Sequence, residues 1–110
     1  IHRDEQKKRL AKREKDPLST WKVSPIDREA QAHWDDYSRA RDEMLRRTHH
    51  PLAPWYVVRA DDKKTARINL IKDLLSSMPY EGKDHDLVAP DREIVFEFHA
   101  GVIKKGLLAD

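Results

Sequence analysis

Apolar positions along this chain fall into blocks of different period, separated by prolines. Residues 2–15, HRDEQKKRLAKREK, hold no Gly or Pro and one bulky apolar side chain, Leu10. Good helix formers, with Asp4 and Glu5 at the start and basic residues at the end, predict a helix that suits its own dipole. It has no broad apolar face, so it is expected to be solvent-facing on most sides. Residues 16–25, DPLSTWKVSP, are bracketed by Pro17 and Pro25 and read as a loop, with Leu18, Trp21 and Val23 available as anchors. Ser24, Pro25 and Asp27 then form a capping-box signal for a helix over 25–47. In it Ile26, Ala30, Trp34, Tyr37, Ala40 and Met44 recur at helical spacing on one face.

Residues 48–54, THHPLAP, are a loop. WYVVRA, residues 55–60, has four consecutive strand-favouring apolar residues, which predicts a strand buried on both faces, as in a parallel sheet. Asp61 and Asp62 precede a helix over 62–78, whose apolar face is Ala66, Leu70, Ile71, Leu74, Leu75 and Met78, ended by Pro79. Strand, Asp-Asp turn and helix make half of a βαβ unit. A lone buried strand needs neighbours, and Ile94–Phe98 in the tail is the other strand candidate. The rest of the sheet is expected from sequence beyond this chain. The expected division is therefore a body over 1–80 and a tail over 81–110 that packs on the body or on another subunit.

Composition supports a partial unit. Of 110 residues, 38% are charged and 38% apolar, so core material is scarce for an independent domain. The chain opens at Ile1, which fits a piece of a longer protein. Net charge is only +2, but its distribution matters. Residues 1–22 carry eight Lys or Arg against four acids, a local field that attracts polyanions. With no cysteine, thiolate metal sites and disulfides are excluded, and a cytoplasmic location is compatible. No apolar run approaches a membrane span, and no nucleic-acid motif is present.

The order of EQKKRLAKREKDPLSTWKVSPIDREAQAHWDDYSRARDEMLRRT, APWYVVRADDKKTARINLIKDLL and MPY resembles the C-terminal third of polyphosphate kinase 2 enzymes, from about Glu5 to Tyr80. The resemblance implies an α/β chain: the C-terminal fragment of a P-loop kinase-like three-layer α/β/α fold, mostly helical here, with one or two short strands. It implies a lid at about 13–27 and the last core strand at 55–60. It also implies phosphoryl transfer between inorganic polyphosphate and ADP, GDP or AMP, with Mg²⁺, in a homo-oligomer. The family's phosphate-binding loop and magnesium-binding acids lie upstream of the matched region. No G-x-x-x-x-G-K-[ST] occurs in this chain, which has three glycines. The magnesium ligands are therefore expected outside it, and this segment alone is expected to be inactive.

Phosphoryl transfer asks the protein for alignment and for positive charge on the phosphate oxygens, and the Arg fork suits phosphate. Arg9 and Arg13, four apart on one helix, share a face, and Lys22 lies across the Asp16–Pro17 loop. The resemblance makes Arg13 and Lys22 the catalytic candidates and Arg9, Arg13 and Lys22 the polyphosphate-binding set. Residue chemistry alone also allows a solvated helix face. Asp62, Lys63 and Arg67 are nucleotide-binding candidates because the C-terminal end of a parallel strand is where open α/β sheets take ligands; helix capping is the other role open to Asp62. Adjacent His49 and His50 point apart and lack a metal-site pattern. Trp21, Trp34 and Trp55 read as packing anchors. Two other functions remain open from residues alone: a non-catalytic polyanion-binding module and an oligomerisation module built on the 25–47 helix.

Overall fold

The computed structural model describes residues 1–109 and, within them, every side chain but that of Arg28. The chain divides into two compact units, the first over residues 1–48 together with Ala109 and the second over 49–108. The boundary falls at the end of a helix, and residues 81–108 belong to the second unit instead of forming a separate tail.

In the first unit, α1 (Arg3–Lys15) and α2 (Pro25–Ala32) form an antiparallel hairpin, joined by a loop that contains a 3₁₀ turn at Thr20–Lys22. Polar contacts mark both ends of the hairpin. Arg3 donates to the carbonyl of Gln31 at 2.9 Å and the Gln31 amide donates to the Gln6 side chain. At the other end Arg13 donates to Asp27 at 2.9 Å. Both halves of the predicted capping box form at Ser24 and Asp27.

The helix predicted over 25–47 is instead two segments, α2 and α3 (Trp34–Thr48), broken at His33. The cause is visible in the sequence AHWDDY. Asp35 and Asp36 occupy the first turn of α3, where carboxylates meet the positive end of a helix dipole. His33 turns toward them, its Nδ1 3.0 Å from Asp36 Oδ2.

In the second unit β1 (Tyr56–Val58) pairs antiparallel with β2 (Val95–Glu97). Hydrogen bonds from Phe98 N to Trp55 O and from Arg59 N to Ile94 O lengthen the ladder at both ends. This corrects the expectation of a strand in a parallel sheet and buried on both faces: Tyr56 is exposed and Val57 and Val58 are half-buried. The tail supplies the partner strand and most of the core. Val88, Val95, Phe98, Val102 and Leu108 are buried with Ala66, and Val95 and Val102 are completely enclosed.

The helix α4 (Lys63–Ser77) buries only the Ala66 edge of the face its apolar pattern predicts. Ala66 and Asn69 are buried, whereas Leu70, Ile71 and Leu74 are at least half exposed. The tail selects this face by polar contacts. Asn69 accepts from Asp91 N at 2.7 Å and donates to Thr65 O. Arg92 donates to Asp73 at 2.6 Å, and Lys83 donates to the carbonyls of Ser76 and Met78, which capping leaves unpaired at the helix end.

Candidate functional site

The loop between α1 and α2 is built around Asp16. Its two carboxylate oxygens accept from Leu18 N at 3.0 Å and from the Ser19 hydroxyl at 2.7 Å, while its carbonyl accepts from Ser19 N and Thr20 N. Asp-Pro followed by Ser is a local turn signature, because a short polar side chain can satisfy the backbone ahead of it. The Ser19 hydroxyl, then the Leu18 amide, hold the Asp16 carboxyl below its ordinary range, helped by the charges of Lys12 and Lys22. The loop is thus preformed. Of the three anchors the sequence suggests, Leu18 at 84% and Trp21 at 77% are exposed, whereas Val23 is half-buried. Trp21 instead donates its indole N–H to Leu18 O, and Lys22 Nζ stands 5.0 Å from the Trp21 ring centroid, a cation–π contact.

The three predicted polyphosphate cations have unlike surroundings. Arg9 is half-buried and donates to Glu5 at 2.7 Å within α1. Arg13 is half-buried and pairs across the hairpin with Asp27. Lys22 is exposed on the 3₁₀ turn, which packs against α1. A groove of about 200 Å³ runs along the hairpin, lined by Leu10, Ala11 and Val23 with Lys7, Glu14 and Asp27 at its polar margin. The sequence gives Asp27 only a capping role and gives Asp16 none. The Asp-Pro-x-Ser spacing is a signal for Asp16, whereas the Arg13–Asp27 pair spans a loop and carries no local signal.

Asp62, Lys63 and Arg67 lie in the second unit at the start of α4. Asp62 is the helix N-cap and accepts from Thr65 N at 2.6 Å. Hydrogen bonds from the Thr65 side chain and amide, then the Lys64 amide and charge, keep its carboxyl below the ordinary value. The capping role open to it from sequence is therefore filled. Lys63 and Arg67, four apart on α4, are exposed. His49 and His50 accept backbone N–H groups from Trp55 and Leu52, and His49 sets its ring edge-on to Phe98. A cavity of about 400 Å³ lined by Arg59, Arg92, Phe96 and His99 lies beside the strand pair; no sequence pattern points to it.

Among the described residues no three His, Asp or Glu side chains converge on a point where a metal ion could sit. With Asp62 committed to its cap and Asp16 to its loop, these residues do not fit a magnesium site, and no step below passes through one.

A family model described as Polyphosphate kinase 2 (PPK2) matches residues 1–86. The chain belongs to the polyphosphate kinase 2 family. The match covers the hairpin, α3, β1 and α4 and ends before β2. Curated relatives agree. An ADP-polyphosphate phosphotransferase of Pseudomonas aeruginosa is 54% identical over 76 residues, 69% of this chain and 25% of that protein. A GDP-polyphosphate phosphotransferase of Mycobacterium tuberculosis is 46% identical over 92 residues, 83% of this chain and 31% of that protein. An NDP-polyphosphate phosphotransferase of Ruegeria pomeroyi is 46% identical over 90 residues, 81% of this chain and 30% of that protein. The chain thus spans between a quarter and a third of the length of these polyphosphate kinase 2 relatives.

Proposed function

We propose that the protein to which this chain belongs transfers a phosphoryl group between inorganic polyphosphate and a nucleoside mono- or diphosphate, with the α1–α2 hairpin as its lid. The observation that carries this reading is the hairpin loop itself: a preformed turn that carries an exposed Lys22, with Arg13 near the end of α1 that leads into it, in a family whose curated members are named for this transfer. In the forward direction the bond from the terminal phosphorus to its bridging oxygen breaks, and a nucleotide phosphate oxygen forms the new bond, shortening the polymer by one unit. Arg13 and Lys22 bind the oxygens of the transferring group, Arg9 extends the cationic track along α1, and closure of the hairpin excludes water. Lys63 and Arg67 serve the nucleotide's phosphates from the start of α4, with Asp62 fixing that turn. In this reading β1 joins further strands in a P-loop kinase-like three-layer α/β/α domain of a cytoplasmic homo-oligomer. No helix among the described residues is long and apolar enough to cross a membrane.

The test is ATP or GTP formation by the full-length protein from ADP or GDP and polyphosphate, followed by a coupled luminescence or chromatographic assay with magnesium in the buffer. Absence of nucleotide formation with either acceptor, and with AMP, rejects the reading. Arg13→Ala is expected to lower turnover about 100-fold, the scale of losing one donor to transition-state charge. Lys7→Ala, an exposed cation of the same helix, is expected to change it less than about threefold, as for a solvated charge. Equal effects would remove Arg13 from the site.

A further inference from the structure

We infer that Asp27 is a positioning residue for Arg13, holding one edge of the guanidinium so that its remaining donors face the phosphate; this rests on the phosphotransferase reading above. Asp27 Oδ2 accepts from Arg13 Nη1 at 2.9 Å and from Ser24 N at 3.3 Å. The second bond fixes the first. Asp27 is the third residue of α2 in a complete capping box, so its carboxylate is set by the helix start and cannot follow Arg13 if the arginine moves. Both side chains are about three-quarters to two-thirds covered, at 25% and 34% exposed. In this setting an ion pair orders its members more than a solvated one does.

The pairing is by one edge. A guanidinium carries five N–H donors in a fixed fork, and among the described residues Arg13 makes no second ion pair. The Arg9–Glu5 pair differs, because it lies within α1. The hairpin does not depend on Asp27 to close, since Arg3 and Gln6 meet Gln31 at its other end. The pair also has an electrostatic cost. A carboxylate beside Arg13 weakens the attraction of the site for a polyanion. An acid there that served only binding would be counterproductive, so its effect is expected in turnover. Removing its charge should let polyphosphate bind as well or better while Arg13 loses its aim.

The experiment uses the full-length protein and long-chain polyphosphate with ADP. Asp27→Asn keeps an oxygen for Ser24 N and removes the charge. Its kcat is expected to fall about tenfold while KM for polyphosphate stays level or drops, the signature of an interaction made in the transition state. Asp27→Glu keeps the usual capping-box chemistry but displaces the carboxylate by one methylene. It should match the parent's melting temperature and still lose turnover, which covers the case in which Asp27→Asn folds poorly. In an Arg13→Ala background Asp27→Asn should cause no further loss, because the two residues act as one unit. Unchanged kcat in both Asp27 variants, or the same loss with and without Arg13, overturns the assignment. A parent protein that makes no nucleotide from polyphosphate overturns the phosphotransferase reading itself, a result separable from any behaviour of the variants.

Discussion

Asp16 shows how a single carboxylate can order a loop at the surface. It satisfies Leu18 N and Ser19 Oγ together, and the turn it nucleates carries Trp21 and Lys22. Its carboxyl is held below the value of 3.8 that it has in an unfolded chain. The sign follows from that. A group whose pKa is depressed by folding stabilises the folded loop above its unfolded value and loses the effect as pH falls through its folded value. The loop should therefore be indifferent to pH between 5 and 8, and open only below about 4. The Trp21 indole N–H resonance, held by Leu18 O, reports this directly. A shift of that signal with a midpoint near neutrality would mean that another group organises the turn. Much of this loop is legible in the sequence, because every bond that shapes it joins residues no more than three or four apart. The exposure of Leu18 and Trp21 is not, since apolar composition alone cannot tell an anchor from a projecting side chain.

At the scale of elements, period and punctuation mark the first helix, α4 and the two strands, but they run α2 and α3 together and miss a short helix at Ala100–Lys104, and packing faces are less legible still. Asp-rich and Ser-Pro-rich starts mark α2, α3 and α4 because capping is local. The break at His33 could be read from Asp35 and Asp36, which suit a helix start better than a helix middle. The buried face of α4 could not be read. Its apolar side chains Leu70, Ile71 and Leu74 line one stripe, but the described partner of the helix is the tail, and the tail offers hydrogen-bonding groups to Asn69 and Asp73. Long-range pairing of this kind, 19 and 22 residues apart, leaves no periodic trace. Asn69 is the element-level test. Asn69→Ala removes the acceptor of the part-buried bond from Asp91 N, and should lower the unfolding free energy by about 0.5–1.5 kcal/mol in urea titration, the net worth of one hydrogen bond. Asn69→Asp keeps that acceptor but sets a buried carboxylate against Thr65 O in place of the amide donor, and should lose at least as much. If both changes are neutral, the contact between α4 and the tail contributes nothing to stability.

At the scale of the whole molecule, the exposed apolar surface decides how the chain should be understood. Leu70, Ile71 and Leu74 on α4 are between 50% and 59% exposed. On α3, Tyr37 and Met44 are exposed as well, and among the described residues the buried indole nitrogen of Trp34 has no hydrogen-bond partner. The two-stranded sheet has no third strand among the described residues, so its outer edges have no ladder partner there. Open edges and apolar stripes together are interaction surfaces or aggregation sites. The curated relatives are three to four times as long as the matched region, which supplies enough additional chain to cover the α4 stripe within one domain. That reading separates the isolated 110-residue chain from the full-length protein. In the isolated chain Leu70→Lys with Leu74→Glu should reduce self-association in sedimentation and leave the melting temperature almost unchanged, because both side chains already face water. In the full-length protein the same pair should cost about 3 kcal/mol or more, since each would bury a charge in place of an apolar side chain. An equally mild effect in both would show that the α4 stripe stays exposed in the full-length protein, and that α4 does not pack its apolar stripe against further elements there.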